Sequence, residues 1–452
     1  MDNKAAPDPP GPTAEPPIQP FHPFNDIGAP IVLHAGDIGG VEEKDLPGEV
    51  TLSCAPRLSL DWRVTPTPSS WPNLMPDLNE PDPLLLRRPY GDFPMDIHTR
   101  GSEGSSNGAT LGDPETPITR MLAHWFNLPR FEGQHHLSAG VEGQERVRPR
   151  SRWMHEVDGW RITLDIRPDH KAIWPELRRS KVYAMTHVME ISRCDGSDFT
   201  TARARHVLTA LHIGLSFSLG RWVAPMLPVG FAADGRVVWE EWRVMHCDPA
   251  RNFSDGWWEP LDPAPLGRFL DGLVPAYADP ARAESLRLQI NYAITAISGE
   301  GFVEQRVIIG AAGLEHVMWQ RLHVEASLNR KGYDSFHAHA RLRRILQDIN
   351  VPTSIDSSQL PALAQFANES QSSDGSSLDG PEALTRVRNS LVHPKESQKK
   401  IYGRERVVVD AWLLARHYLT LLILESLGYQ GDHRNLARMG GWQGEVSQTP
   451  WS

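Results

Sequence analysis

An arginine followed five positions later by a histidine occurs three times in the chain, as Arg130/His135, Arg150/His155 and Arg388/His393. The spacing alone carries little, because with 19 histidines random placement gives about two such pairs. Context separates them. The first two lie in irregular sequence, RFEGQH and RSRWMH, where nothing fixes their mutual geometry. The third lies in PEALTRVRNSLVHP, residues 381–394. Arginine is permanently charged and presents a planar fork to phosphate oxygens. An imidazole, which ordinarily titrates near pH ~6.5, passes protons in either direction at neutral pH. The two together supply what metal-free RNA cleavage needs: a cation on the pentacoordinate phosphorane, here Arg388, and proton transfer at the 2′-hydroxyl or the 5′-oxygen, here His393. Asn389 would bind the scissile phosphate or orient the imidazole. One histidine does not comfortably act as both acid and base. The bland alternative is an ion-paired Arg388 and a His393 that merely caps a helix end, where cations suit the dipole.

The elements that would hold these groups are readable around them. Asp379-Gly380-Pro381-Glu382 is a helix start, with proline in the first turn and an acid beside the positive dipole end. Ala383, Leu384, Val387 and Leu391 form an apolar stripe, and Arg388, four after Leu384, lies at its edge. A charge there must be paired or face a cleft or an interface. Pro394 disfavours helical geometry in the residue before it, so the helix should end at Val392 and leave His393 on its C-terminal lip. Positions five apart on an unbroken helix diverge by about 140°, so the break is what brings the imidazole toward the arginine.

Arg388-Asn389-x-x-x-His393-Pro394, late in a helical region and followed by a long apolar helix, resembles the R-x4-6-H motif of HEPN domains, the higher eukaryote and prokaryote nucleotide-binding superfamily. Many of its members are metal-independent ribonucleases. Gly313-Leu314-Glu315 is similar to the acidic position of many such domains, which implies a supporting role for Glu315. Leu427-Gly428-Tyr429 resembles the ending of the ApeA-like anti-phage HEPN proteins, as do Leu58–Trp62, Leu215–Gly220, Leu227–Gly230 and Trp239–Trp242 in the N-terminal half. The similarity runs from about residue 45 onward, with the Arg-Asn-x3-His core its most specific part. It implies an all-α HEPN-type helical bundle and an endoribonuclease acting on tRNA or other cellular RNA. It also implies a homodimer in which two Arg/His sets face each other. The implied role is anti-phage abortive infection, with an N-terminal domain that senses a phage protein or restrains the nuclease. HEPN toxins paired with nucleotidyltransferases usually carry His-x-Tyr. Here Pro394 and Lys395 follow His393, so silencing through that tyrosine is not expected.

Residues 381–416 hold Arg386, Arg388, Lys395, Lys399, Lys400, Arg404, Arg406 and Arg416 against Glu382, Glu396, Glu405 and Asp410. This local excess of cations fits an RNA backbone path, with Arg386, Lys395, Lys399 and Lys400 as contacts, and equally a solvated basic loop. His337-Ala-His339 has the look of a metal pair, but on a helix positions two apart point to different faces, so ligation is not expected. There is no Walker A, G-x-S-x-G or H-E-x-x-H motif. No metal and no cofactor are expected.

Composition sets the frame. At 452 residues the chain is long enough for two or three cores at about 150 residues each. Hydrophobic residues make up 40%, charged residues 23%, and the net charge is −10, with a mean hydropathy of −0.40. That is globular composition and argues against a general nucleic-acid coat. The first twenty residues contain seven prolines and no apolar segment of a secretory signal, which predicts a disordered tail over 1–26. No run of 18 or more apolar residues suggests a membrane span. Three widely spaced cysteines fit no disulfide framework and point to a reducing compartment, the cytoplasm.

Alternating stretches at Glu49–Cys54, Leu58–Val64, Val182–Ile191 and Val237–Val244 predict strands, and Asp158-Gly159 before Trp160–Ile166 predicts a hairpin. GSEGSSNGATLGDP, residues 101–114, reads as a flexible loop and 201–219 as a helix. After the Trp- and Pro-rich connector, helices are predicted at 281–298, 302–328, 334–350, 358–367, 381–392 and 406–427. The expectation is an α+β protein: a tail over 1–26, a mixed β-rich domain over 27–260 and a helical domain over 261–452.

Overall fold

The computed structural model describes residues 14–40, 45–65, 83–88, 91–98, 101–139, 146–251, 255–298, 301–370, 372, 375–393, 401, 403–440, 442 and 444–451. The fold is α+β, with strands in the N-terminal half and helices in the C-terminal half. Two compact units divide it: Met1–Arg205 with Ala224–Arg251, and His206–Val223 with Asn252–Ser452. The expected boundary at residue 260 therefore moves, and the segment 206–223 joins the helical unit rather than the β-rich one. Its residues explain why: Phe217 packs against Phe269 and Trp257 at ring separations of 5.8 and 6.3 Å, and Gly214 lies against Leu270 and Leu273.

The β-rich unit is built on one continuous ladder. Its strands are β1 (Ala14–Glu15), β2 (Ile31–Gly39), β3 (Leu46–Ser53), β4 (Ser59–Val64), β5 (Leu84–Arg88), β6 (Gly91–Ile97), β7 (Glu103–Leu111), β8 (Pro117–Ile118), β9 (Arg120–Phe126) and β10 (His135–Ala139). They continue with β11 (Arg146–Val157), β12 (Trp160–Ile166), β13 (Met185–Arg193), β14 (Phe199–Thr200), β15 (Ala224–Phe231) and β16 (Val237–Trp242), and helix α1 (His170–Ser180) follows β12. The main sheet runs β1-β10-β11-β12-β13-β9-β15-β16-β7-β4-β3-β2-β5-β6, and β6 pairs again with β7. Strands β7, β4, β3, β2, β5 and β6 thus close into a barrel, which leaves no open edge among them. Its strands contribute Ile38, Val50, Leu52, Leu60, Trp62, Leu84, Leu86 and Met95 to one buried cluster, which Trp242 of β16 joins.

The hairpin forms as predicted, with Val157 opposite Trp160. Asp158 and Gly159 both take positive φ, 51° and 71°, the geometry that a two-residue turn between twisted strands requires. Two expectations are corrected. The loop assigned to 101–114 is largely strand β7, paired with β4, β16 and β6. Its small residues serve close approach: a Cβ on Gly108, at φ +143°, would stand 2.5 Å from the Trp242 carbonyl. Of the expected tail, residues 1–13 lie outside the described residues, and 14–26 are ordered. Strand β1 pairs in parallel with β10, and the Ile18 N–H donates to the Asp165 carboxylate at 2.7 Å. Arg152 holds Asp165, Glu15 and the Pro16 carbonyl, and His22 and Asn25 are buried. An extended proline-rich chain lacks many N–H groups, and this one is docked by the few it has, at Ile18 and His22, together with the carbonyls of Pro16 and Asn25.

The helical unit begins within α2 (Thr201–Leu219) and continues with α3 (Ala264–Ala278), α4 (Pro280–Ile297), α5 (Val303–Trp319), α6 (Arg330–Asp334), α7 (Ala338–Gln347), α8 (Pro361–Glu369), α9 (Gly380–Val392) and α10 (Glu405–Ser426). A π-helical turn, Gln320–Glu325, extends α5. By length and composition α10 passes as a membrane span, contrary to expectation, but 89% of that apolar window is buried inside the fold, as in a core helix. Helices α5 and α10 approach closely where Gly313 meets Leu419. The unit is not all-α: β17 (Asp432–His433) and β18 (Ser447–Gln448) form a short antiparallel pair. The chain reaches it through a Schellman cap at the end of α10. Gly428 at φ +67° allows its own N–H to reach the Glu425 carbonyl and that of Tyr429 to reach Leu424. Tyr429 then packs on Trp257 at 5.1 Å.

Candidate functional site

Helix α9 starts where the sequence places it. The Asp379 carboxylate caps it by accepting the Glu382 N–H at 3.0 Å, and the helix stops at Val392 as the following proline dictates. The apolar stripe is buried through Ala383, Leu384 and Val387. This fixes the helix's rotation and turns Arg388 and Asn389 toward a cleft of about 370 Å³ formed with α5 and α7. Glu315 of α5 lines the same cleft, as do His337, His339, Glu382 and Arg386.

The cleft's fixed charges are paired. Arg388 contacts Glu315 at 3.4 Å, with their side chains 25% and 48% exposed, and donates to the Asn389 side-chain oxygen at 3.1 Å. Its Nε, shielded from solvent, has no partner among the described residues. Arg386 donates to Glu382 at 2.7 Å. Arg343 of α7 grips Asp379 through two hydrogen bonds of 2.6 and 3.0 Å and approaches Glu382 at 3.7 Å. Burial pushes the Glu382 carboxyl up, but hydrogen bonds from Arg386 and Ser372 and the nearby positive charges outweigh it, so the group stays ionised below its ordinary range. Burial lowers His339 from the ordinary imidazole value, with Glu382 opposing and Arg343 and His337 adding to the fall.

His393 is exposed at the C-terminal end of α9, its backbone N–H donating to the Asn389 carbonyl at 2.8 Å. It is not among the residues lining the cleft. The structure thus brings together Glu315, Arg386, Arg388 and Asn389 in the cleft, and leaves His393 outside it, exposed at the end of α9. Lys395, Lys399 and Lys400 lie outside the described residues. The basic stretch around the site is corrected in part. Arg404 pairs with Glu369 at 2.7 Å and Arg406 with Asp410 at 3.2 Å. Arg416 is buried against Trp412 at 4.4 Å, donating to the Leu436 and Arg438 carbonyls, and burial lowers it to about 10. Arg416 is thus structural, while Arg404 and Arg406 are partly exposed and ion-paired.

The sequence singles out His337 and His339 only as an improbable metal pair, and the structure adds that both line the cleft. Treating both as helical sent them to different faces. In fact His337 is the extended residue that precedes α7, at φ −63° and ψ 154°, and the two rings stack with centroids 5.6 Å apart. The other Arg/His pairs do not form sites: Arg130 turns to Glu132 and His155 stacks on Trp153.

Two family models match the chain. The model for the YopA central domain covers residues 113–253, and that for the YopA C-terminal domain covers 279–448, which includes every residue of the cleft. The chain is also 27% identical over 368 residues to the SPbeta prophage-derived uncharacterized protein YopA of Bacillus subtilis (strain 168), a match that covers 78% of each chain. No solved structure matches.

Proposed function

We propose that the helical unit is a HEPN-type, metal-independent endoribonuclease acting on tRNA or other cellular RNA. The observation that carries this reading is the build of α9, which delivers Arg388 and Asn389 into a cleft and ends at Val392, leaving His393 exposed at the helix's C-terminal end. Arg388 stabilises the charge that develops on the phosphorane, Asn389 holds the phosphate, and Glu315, in a supporting role, neutralises the guanidinium until substrate displaces it. His393 carries a proton to or from the reacting oxygens, a contribution of about 10²–10⁴-fold. Because His393 sits outside the cleft of its own chain, a homodimer that faces one chain's lip to the other's cleft fits the reading. The prophage origin in the relative's name supports a role in phage conflict, here abortive infection in the cytoplasm, with the β-rich unit sensing a phage product or restraining the nuclease.

A second reading has its own observation. The Arg388–Glu315 ion pair is what a non-catalytic domain that binds nucleotide or RNA, or only dimerises, would also show. Cleavage of total RNA and purified tRNA in EDTA separates the two. The nuclease reading expects products with 2′,3′-cyclic phosphate ends from the wild type and none from Arg388→Ala or His393→Ala. Equal products from His393→Ala, or neither cleavage nor growth arrest by the wild type in cells challenged with phage, favours the binding module.

A further inference from the structure

The cleft's permanent charges cancel: Arg386 and Arg388 line it against Glu315 and Glu382, and just behind them Arg343 is matched by Asp379. What can still change sign is the pair of imidazoles. His337 and His339 stack nearly parallel, 19° between planes and 5.6 Å between centroids, on the cleft wall opposite α9. The groups facing His339 are His337 and Arg343 from its own element, and Asp379, Glu382, Arg386 and Arg388 from α9. Glu315 faces it from α5. Arg341 is turned away, over the Tyr333 ring at 4.1 Å. Among the described residues no third His, Cys, Asp or Glu joins the two histidines in a group able to hold a metal ion. Two imidazolium rings this close repel each other, so the second proton enters together with an anion that bridges them.

We propose that His337 and His339 form, with Arg388, a proton-gated subsite for an RNA phosphodiester. The imidazolium N–H groups donate to one non-bridging oxygen and the guanidinium to the other. Affinity follows protonation: the cleft is neutral and weakly attractive when both rings are neutral, and cationic when they are charged. Since burial lowers His339, the gain comes as pH falls below the ordinary imidazole range, and bound phosphate raises the protonated fraction in return. The subsite rests on the RNA reading of the cleft but not on catalysis. It adds two groups on α7 to the one histidine recognised in the sequence.

The test uses the full chain and a 2′-O-methylated uridine dinucleotide. That phosphodiester keeps its single charge across this pH range and cannot be cleaved through its 2′-oxygen. Calorimetric titration at about pH 5.5 and about pH 7.5 should show binding at least about tenfold tighter at the lower pH. His339→Gln should lose that dependence and His337→Gln should flatten it. In the wild type, the His339 ring resonances should move on addition of the probe, a readout that needs no variant to fold. Absent binding at the lower pH, equal affinity at both, or unmoved His339 resonances overturns the subsite. Cleavage of unmethylated RNA by the same preparation, with growth arrest in phage-challenged cells, reports separately: gated binding with neither leaves the subsite standing and removes the nuclease step.

Discussion

Replacing Glu315 by glutamine should strengthen RNA binding rather than weaken it. In the free protein its carboxylate occupies the guanidinium that a phosphate must reach. At 3.4 Å two opposite unit charges attract by about 1 kcal/mol in a water-like dielectric. With one side chain 25% and the other 48% exposed, solvent and salt leave about 0.5–1 kcal/mol of that. Glutamine keeps the length and the hydrogen-bonding capacity of the side chain but removes the competing charge. The gain should therefore be about two- to fivefold in affinity at low ionic strength, shrinking as salt approaches about 0.15 M. Fluorescence anisotropy with a 2′-O-methylated oligonucleotide measures it, and urea midpoints of both proteins verify that the fold is unchanged. Weaker binding by Glu315→Gln, at equal stability, would refute the argument, because it would mean that the carboxylate organises the arginine for phosphate rather than competing with it.

Other perturbations test the scaffold. Asp379→Ala removes both the cap of α9 and the two hydrogen bonds to Arg343. A cap is worth about 1 kcal/mol and a partly exposed pair somewhat less, so urea denaturation should show a loss of about 1.5–2 kcal/mol. Gly108→Ala should cost about 2 kcal/mol or more, since its Cβ would meet the Trp242 carbonyl at 2.5 Å; an unchanged melting temperature would contradict the assigned register of β7. Burial holds His124 and His170 near 4 and His22 and His417 near 3. In the unfolded chain such groups take protons near pH ~6.5, so the stability they lend is complete above that value. It falls as pH drops toward 4, by up to about 1.4 kcal/mol per pH unit for each group. Urea midpoints that stay flat between those limits would show that these imidazoles are not buried.

Local signals reached the sequence intact. Asp158-Gly159 specifies its hairpin because both residues tolerate positive φ. The α9 boundaries follow from a cap and a proline. What was hidden depends on partners distant in the chain. Strand β7 is written in glycine and serine because Trp62 and Trp242 crowd it, which reads locally as a loop. Barrel closure is a β6–β7 pairing that no periodicity announces. Half of the candidate site shows the same division. Arg388 and Asn389 could be placed from their own helix, whereas the stacking of His337 on His339 depends on His337 being the extended residue before α7, which their spacing does not announce. The ion pairs that neutralise Arg386, Arg404 and Arg406 were likewise invisible, so a run of cations looked freer than it is.

The helical unit is discontinuous, and that limits how the protein can be taken apart. A fragment beginning at residue 261 would lack Phe217 and Trp257, whose ring lies 5.1 Å from both Phe269 and Tyr429, and would expose the surface they cover. No single cut yields both units whole. The same constraint acts on the gene: one crossover cannot exchange the helical unit for another, because the piece spanning 206–223 would stay behind with the strands. The two units are thus inherited together, on one stretch of gene that no single crossover divides between them.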